Sequence, residues 1–202
     1  MIKICAHRGL WDKQSPQNSK AAIGKALSRS MAVEIDIHAW NGKIYVTHDG
    51  PENDSHAYLF EEIYPLFNSE SVFFLDIKTK NCLPSIALQT QGLPGQIYFN
   101  NIPKSEISYY LDSNLDILDS VNKEDDLALE QKNSNLLIDI PDRQVFSRFC
   151  HNSNLDAKIE FYISLEIHQQ DPQEQWELLK QRNHPNSYIC TDFFERASRF
   201  FK

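Results

Sequence analysis

Residues 2–37 read IKICAHRGLWDKQSPQNSKAAIGKALSRSMAVEIDI, and their order decides the fold. The apolar run Ile2–Ala6 has the length of a strand. A polar loop follows, then Ser19–Ser30, which opens on a serine and places alanine, isoleucine and leucine at helical spacing. Val33–Ile37 is a second strand-like run. Strand, helix, strand within this distance is the signature of a parallel β-α-β unit.

The same alternation continues along the chain. Strand-like runs recur at Val72–Ile77, Gln96–Phe99, Leu115–Asp119, Leu136–Ile140, Phe161–Leu165 and Tyr188–Thr191. Several are continuously apolar, as strands buried on both faces must be. Helical stretches are expected at Tyr58–Phe67, Pro84–Gln91, Lys104–Leu111, Glu124–Lys132, Asp142–Cys150, Pro172–Arg182 and Phe194–Phe201. Pro172 suits a first helical position, and Lys180 and Arg182 suit the last turn of that helix. Eight strands in 202 residues leave about 25 residues per unit, enough for a strand, a helix and two short loops. The fold class read from this is α/β, a compact (β/α)8 TIM barrel. An open doubly wound sheet would want a glycine fingerprint after the first strand, which is missing. Lys43–Thr47, joined to the second strand by Asn41-Gly42, reads as a short β-hairpin excursion ending in His48-Asp49-Gly50.

Composition narrows the function. The chain is 41% apolar and 24% charged, ordinary values for a soluble globular domain, and its length suits one domain over residues 1–202. Its net charge of −8 argues against a nucleic-acid partner. An anionic substrate would need a local cluster of cations or a metal ion. No apolar run approaches 18 residues and the first residues are too short for a secretory signal, so a cytoplasmic protein without stable membrane insertion is expected. Cys5, Cys82, Cys150 and Cys190 show no CxxC pairing and read as reduced residues.

Chemistry in such a barrel sits where strands end. The first strand ends in His7-Arg8-Gly9, the second carries Glu34 and Asp36 on one face, the excursion ends in His48-Asp49, and the third carries Asp76 and Lys78. Glu34, Asp36 and Asp76, with no thiol near, make a hard oxygen cage suited to one Mg²⁺ or Ca²⁺. Crowded without a cation, the three acids would raise one another's pKa. Arg8 can grip a phosphate with its planar fork, and Lys78 adds a point charge. His7 and His48 can act as general acid and base near neutral pH. The cluster calls for a phosphate ester.

Ala6-His7-Arg8-Gly9, Ser15-Pro16-Gln17-Asn18-Ser19, Val33-Glu34-Ile35-Asp36 and Val46-Thr47-His48-Asp49 resemble, in order and spacing, the motifs of the glycerophosphodiester phosphodiesterase family, within the phosphatidylinositol phospholipase C-like superfamily. Leu75-Asp76-Ile77-Lys78 is similar to its third-strand segment and Thr191-Asp192-Phe193 to its closing strand. The resemblance implies a single phosphodiesterase TIM-barrel domain with one divalent metal. It implies His7 and His48 as the catalytic pair, Glu34, Asp36 and Asp76 as metal ligands, and Arg8 at the phosphate. The implied substrate is a small-molecule or glycan-linked diester of glycerol phosphate or a related polyol phosphate. A phospholipase-type enzyme acting on a lipid headgroup and a catalytically silent phosphate-binding barrel are the alternatives.

Three positions depart from the family. Asp76 stands where glutamate is usual, and Gln17 replaces a glutamate. Residues 50–71, only 22 long, replace a larger insertion that caps the glycerol end, which argues for an open mouth. Outside the motifs, Asn18 and Ser19 read as caps of the first helix. His38, His56, His151, His168 and His184 read as surface or core fillers. Asp139 and Glu166 lie near strand ends; lining the pocket is the lesser reading for each, an ordinary strand-end acid the greater. Trp11 and Trp40 flank motif loops and read as packing residues.

Overall fold

In the computed structural model the structure describes residues 2–102, 106–107, 115–123, 135–152 and 157–202. The chain divides into two compact units, Ala6–Ile117 and Met1–Cys5 with Leu118–Lys202. It passes between them within β1 (Lys3–His7) and again after β7 (Asp116–Ile117).

In the first unit, α1 (Lys20–Leu27) follows β1, and β2 (Ala32–Trp40) turns through Asn41-Gly42 into β3 (Lys43–Val46). Both turn residues have positive φ, 48° and 73°, the conformation that matches the twist of a two-residue hairpin. β2 and β3 pair antiparallel, so the expected excursion is present. It extends further than its sequence suggests, because β4 (Tyr58–Leu59) pairs antiparallel with β3. Recruitment of Tyr58 and Leu59 into that pairing shortens the helix expected over Tyr58–Phe67. What remains is a 3-10 helix, Phe60–Leu66, with Pro65 inside it. Proline has no N–H to give an α-helical ladder.

β5 (Val72–Ile77) pairs parallel with β2, and β6 (Gln96–Asn100) with β5, the latter two separated by α2 (Leu83–Thr90). These registers set Asp36 opposite Asp76, and Asp76 opposite Asn100. β7 pairs parallel with β6.

The second unit repeats the plan. β8 (Asp119–Val121), β9 (Asn135–Ile138), β10 (Ile159–Ile163) and β11 (Ser187–Thr191) are parallel neighbours in that order. The helices are α3 (Arg143–Asn152), α4 (Gln173–Arg182) and α5 (Phe194–Phe200). α3 begins where Asp142 Oδ1 accepts the backbone N–H groups of Gln144 and Val145, both at 2.9 Å. Pro172 is the N-cap of α4 rather than its first helical residue. Phe146, Phe149, Tyr162, Trp176 and Ile189 fill the core between these helices and the sheet.

The fifth expected strand, Leu115–Asp119, is interrupted at Leu118 into β7 and β8, so nine parallel strands are described in place of eight. The plan is otherwise the α/β TIM-barrel alternation read from sequence. Of the helix expected at Lys104–Leu111 only residues 106 and 107 are described, and the one at Glu124–Lys132 lies outside the described residues. No disulfide joins any of the four cysteines. No described helix is long and apolar enough to cross a membrane.

Candidate active site

The site grows from the turn after β1. Arg8 has φ 57° and Gly9 φ 85°. A Cβ on Gly9 would lie 2.6 Å from the carbonyl carbon of Ala22, so only glycine lets the loop press against the α1 backbone. That contact is sealed by the Leu10 N–H donating to Ala22 O at 2.9 Å. The Arg8 N–H reaches both the backbone oxygen of Glu34 (3.0 Å) and its Oε2 (3.2 Å). The turn is thereby tied to β2.

Glu34, Asp36 and Asp76 converge, with one carboxylate oxygen of each within 4.8 Å of the others. Glu34 and Asp36 share a face of β2 by the two-residue period, and the parallel register brings Asp76 beside Asp36. Asp36 is fully buried and Glu34 nearly so. Arg8 Nε lies 2.7 Å from Asp36 Oδ2. Lys78 Nζ lies 2.9 Å from Asp36 Oδ1 and donates to Asp76 Oδ2 at 2.6 Å.

These charges set the protonation of the trio. Burial, then the nearby Asp36 and Asp76 carboxylates, push Glu34 well above the usual carboxylate range. Burial also opposes ionisation of Asp36, but Lys78, Arg8 and the Asn18 amide outweigh it and hold its carboxyl below the ordinary value. Burial would lower Lys78, yet Asp76 and Asp36 raise its ammonium instead. The Lys78–Asp76 ion pair and the acidic cage are thus one network.

The residues present fit a divalent cation. Asp76 Oδ1 is buried without a hydrogen-bond partner among the described residues, and Asp36 Oδ1 has the Lys78 ammonium 2.9 Å away. Bare buried carboxylate oxygens are costly, and a hard cation satisfies them. Glu34, Asp36 and Asp76 could hold it through oxygen alone, the donor set that magnesium and calcium take.

The two histidines stand differently. His7 Nε2 is 4.0 Å from Glu34 Oε2, at the edge of the trio. Among the described residues, the ion pair of His48 is made with Asp49, Nδ1 to Oδ1 at 2.6 Å, and not with the trio. An imidazole that donates its Nδ1 proton to Asp49 presents Nε2 as a free lone pair. The structure therefore places His7 with the cage and His48 in the adjoining excursion.

Three residues near the site escaped the sequence reading. Asn18 does not cap α1; Ser19 does, through the Ala22 N–H at 3.2 Å. Asn18 instead clamps Asp36, donating from Nδ2 to Oδ2 (2.8 Å) and accepting the Asp36 N–H on Oδ1 (3.2 Å). Tyr58 OH in turn donates to the Asn18 carbonyl at 2.6 Å. His38 is no filler: its Nε2 lies 2.9 Å from the His48 carbonyl oxygen and its Nδ1 3.2 Å from Thr79 Oγ1, so it steadies the His48 loop. Its place two residues beyond Asp36 on the same strand face was the available signal. Asn100, the third, sits at the end of β6.

Glu166 and Asp139, for which pocket lining is the lesser reading, belong to the second unit. Glu166 accepts from the Ser164 and Thr191 hydroxyls and from the Asp192 N–H. Asp139 Oδ1 lies 2.6 Å from His168 Nε2. Trp40 packs edge-on against Tyr45 yet stays as exposed as Trp11, at 38% each.

No family model matches the chain, and no curated protein matches it. Solved structures do. A glycerophosphoryl diester phosphodiesterase from Parabacteroides distasonis is similar over 99% of this chain and 86% of its own, with TM-score 0.69 and 14% identity. A glycerophosphodiester phosphodiesterase from Agrobacterium tumefaciens is similar over 99% of both chains, with TM-score 0.64 and 16% identity. A third, from Thermotoga maritima, covers 98% of this chain and 89% of its own, with TM-score 0.59 and 12% identity. The chain has the α/β TIM-barrel fold of the glycerophosphodiester phosphodiesterases.

Proposed function

We propose that the chain is a single-domain, metal-dependent phosphodiesterase that hydrolyses a diester of glycerol phosphate or a related polyol phosphate. The observation that carries this reading is the convergence of Glu34, Asp36 and Asp76 beside Arg8, Lys78 and His7. One divalent cation, Mg²⁺ or Ca²⁺, supplies Lewis-acid polarisation of the phosphoryl oxygens when bound. Arg8 and Lys78 would neutralise charge growing on the non-bridging phosphoryl oxygens. His7 and His48 serve as the acid–base pair: one takes the proton of a neighbouring substrate hydroxyl as it attacks phosphorus, the other protonates the departing oxygen, and water then opens the cyclic diester so formed with the two roles exchanged. Asp49 fixes the tautomer of His48.

For the substrate, residues 50–71 are a short segment that must also supply β4 and the 3-10 helix, which leaves little chain to fold over the site. A cavity of about 280 Å³ opens beside Lys78, lined by Thr79, Lys80 and Asn101. We therefore expect recognition centred on the phosphate and its polyol, with tolerance of a bulky leaving group such as a saccharide. The four cysteines, with no CxxC pairing and no disulfide, favour a reducing, cytoplasmic setting.

The test is release of alcohol from a panel of glycerophosphodiesters with Mg²⁺ or Ca²⁺. Turnover should vanish on chelation and in Glu34→Gln and Asp36→Asn. Undiminished turnover by metal-free protein would overturn the reading, and a steep preference for the smallest diester would overturn the open mouth.

A further inference from the structure

Asn100 ends β6 and is 3% exposed, yet its Oδ1 has no hydrogen-bond partner among the described residues. A buried amide oxygen without a partner costs free energy comparable to a lost hydrogen bond, so such a group calls for an explanation. Its placement supplies one. Asn100 is the register partner of Asp76, which is the register partner of Asp36. In register, parallel strands turn matched side chains to one face. Two residues earlier on that face, Phe74 and Tyr98 stack with ring centroids 5.1 Å apart. By the two-residue period Asp76 and Asn100 must lie side by side in the same way.

The strand end is also held. Asn101 adopts φ 60°, turning the chain immediately after Asn100, and its Nδ2 donates to Ile77 O at 3.3 Å. Asn100 thus cannot slide from Asp76 without breaking this tie. Two oxygens, Asp76 Oδ1 and Asn100 Oδ1, are buried without a hydrogen-bond partner among the described residues on adjacent strand ends, in one row with Asp36, whose Oδ1 faces the Lys78 ammonium.

We propose that Asn100 Oδ1 is a fourth oxygen donor to the cation site of Glu34, Asp36 and Asp76, a neutral ligand that favours calcium over magnesium. This rests on the metal-dependent reading of the site. Calcium accepts six to eight oxygens in flexible geometry, amide carbonyls among them, whereas magnesium keeps several waters and gains little from an added carbonyl. Asp76 is short by a methylene relative to glutamate, and a neighbouring amide oxygen makes up the missing reach and coordination number.

Calorimetric titration of the full chain with CaCl₂ and with MgCl₂ tests this, with far-UV circular dichroism to establish folding. Asn100→Leu, similar in volume and without an oxygen, should weaken calcium binding roughly 10–100-fold and magnesium binding much less. Asn100→Asp should restore or tighten calcium binding, a rescue that a merely structural asparagine would not show. If Asn100→Leu does not fold, Asn100→Ala against Asn100→Asp makes the same comparison. Calcium affinity unchanged in the oxygen-deleting variant, or equal losses for both ions, would overturn the assignment of Asn100 alone. Absence of cation binding by the unmodified chain would instead overturn the metal site itself.

Discussion

Asn18→Ala should be among the most damaging single changes in the first unit, and the structure lets its size be worked out. The side chain is 6% exposed and makes two bonds to Asp36, one to the carboxylate and one from the backbone N–H. Loss of an amide bond to a charged acceptor costs about 1.5–3 kcal/mol. The Asp36 N–H, left bare in the interior, costs about 1–3 kcal/mol more. Asn18 also sits at φ 61°, where alanine costs about 1–2 kcal/mol and asparagine is better tolerated. These contributions overlap, because Arg8 and Lys78 remain at Asp36, so a loss of about 4 kcal/mol is expected. Asn18→Gly removes the same bonds without the conformational cost and should be about 1 kcal/mol less harmful. Urea unfolding of the three proteins, read from midpoints at a common m-value, measures both differences. A loss below about 1 kcal/mol for alanine, or glycine proving worse than alanine, would refute the clamp.

Gly9→Ala should destabilise by more than about 3 kcal/mol, because its Cβ would press on the α1 backbone at a φ of 85°; a melting temperature near that of the unmodified chain would show that the loop is free to lift off. His7→Ala and His48→Ala should each lower turnover roughly 10²–10⁴-fold with the fold intact, and near-normal turnover would remove that residue from the chemistry. Asp49→Asn should lower turnover roughly 10–100-fold by loosening the His48 tautomer, while leaving cation affinity unchanged in calorimetry. Burial pushes the Cys82 thiol up to about 11 and the Cys150 thiol up to about 12, so both should resist iodoacetamide at pH 8 until urea is added. Because these values are raised on folding, the protonated thiols contribute stability below their unfolded value. That contribution falls as pH rises from about 9 towards 12, which alkaline unfolding midpoints would show.

Much was legible in the chain because it rests on local rules. Alternating apolar runs and helical stretches specify parallel β-α units through side-chain periodicity, and Ser19–Ser30 and Asp142–Cys150 appear close to where their caps place them. Glu34 and Asp36 share a face because strand geometry allows nothing else, and Asn41-Gly42 makes a hairpin because both residues accept positive φ. Tertiary structure alone decided what depends on register between strands distant in sequence. That Asp76 meets Asp36, and Asn100 meets Asp76, results from how β2, β5 and β6 align, which no single strand encodes. The same is true of Asn18, whose amide suits a helix cap as well as a carboxylate 18 residues away; its backbone, at φ 61° and with its N–H donating to Arg8 O at 2.9 Å, leaves the amide on Asp36. Tyr58 and Leu59 form a strand rather than a helix because β3 offers them an unpaired edge. Backbone hydrogen bonds to a neighbouring strand outweigh the weak local propensity of a segment that already contains Pro65.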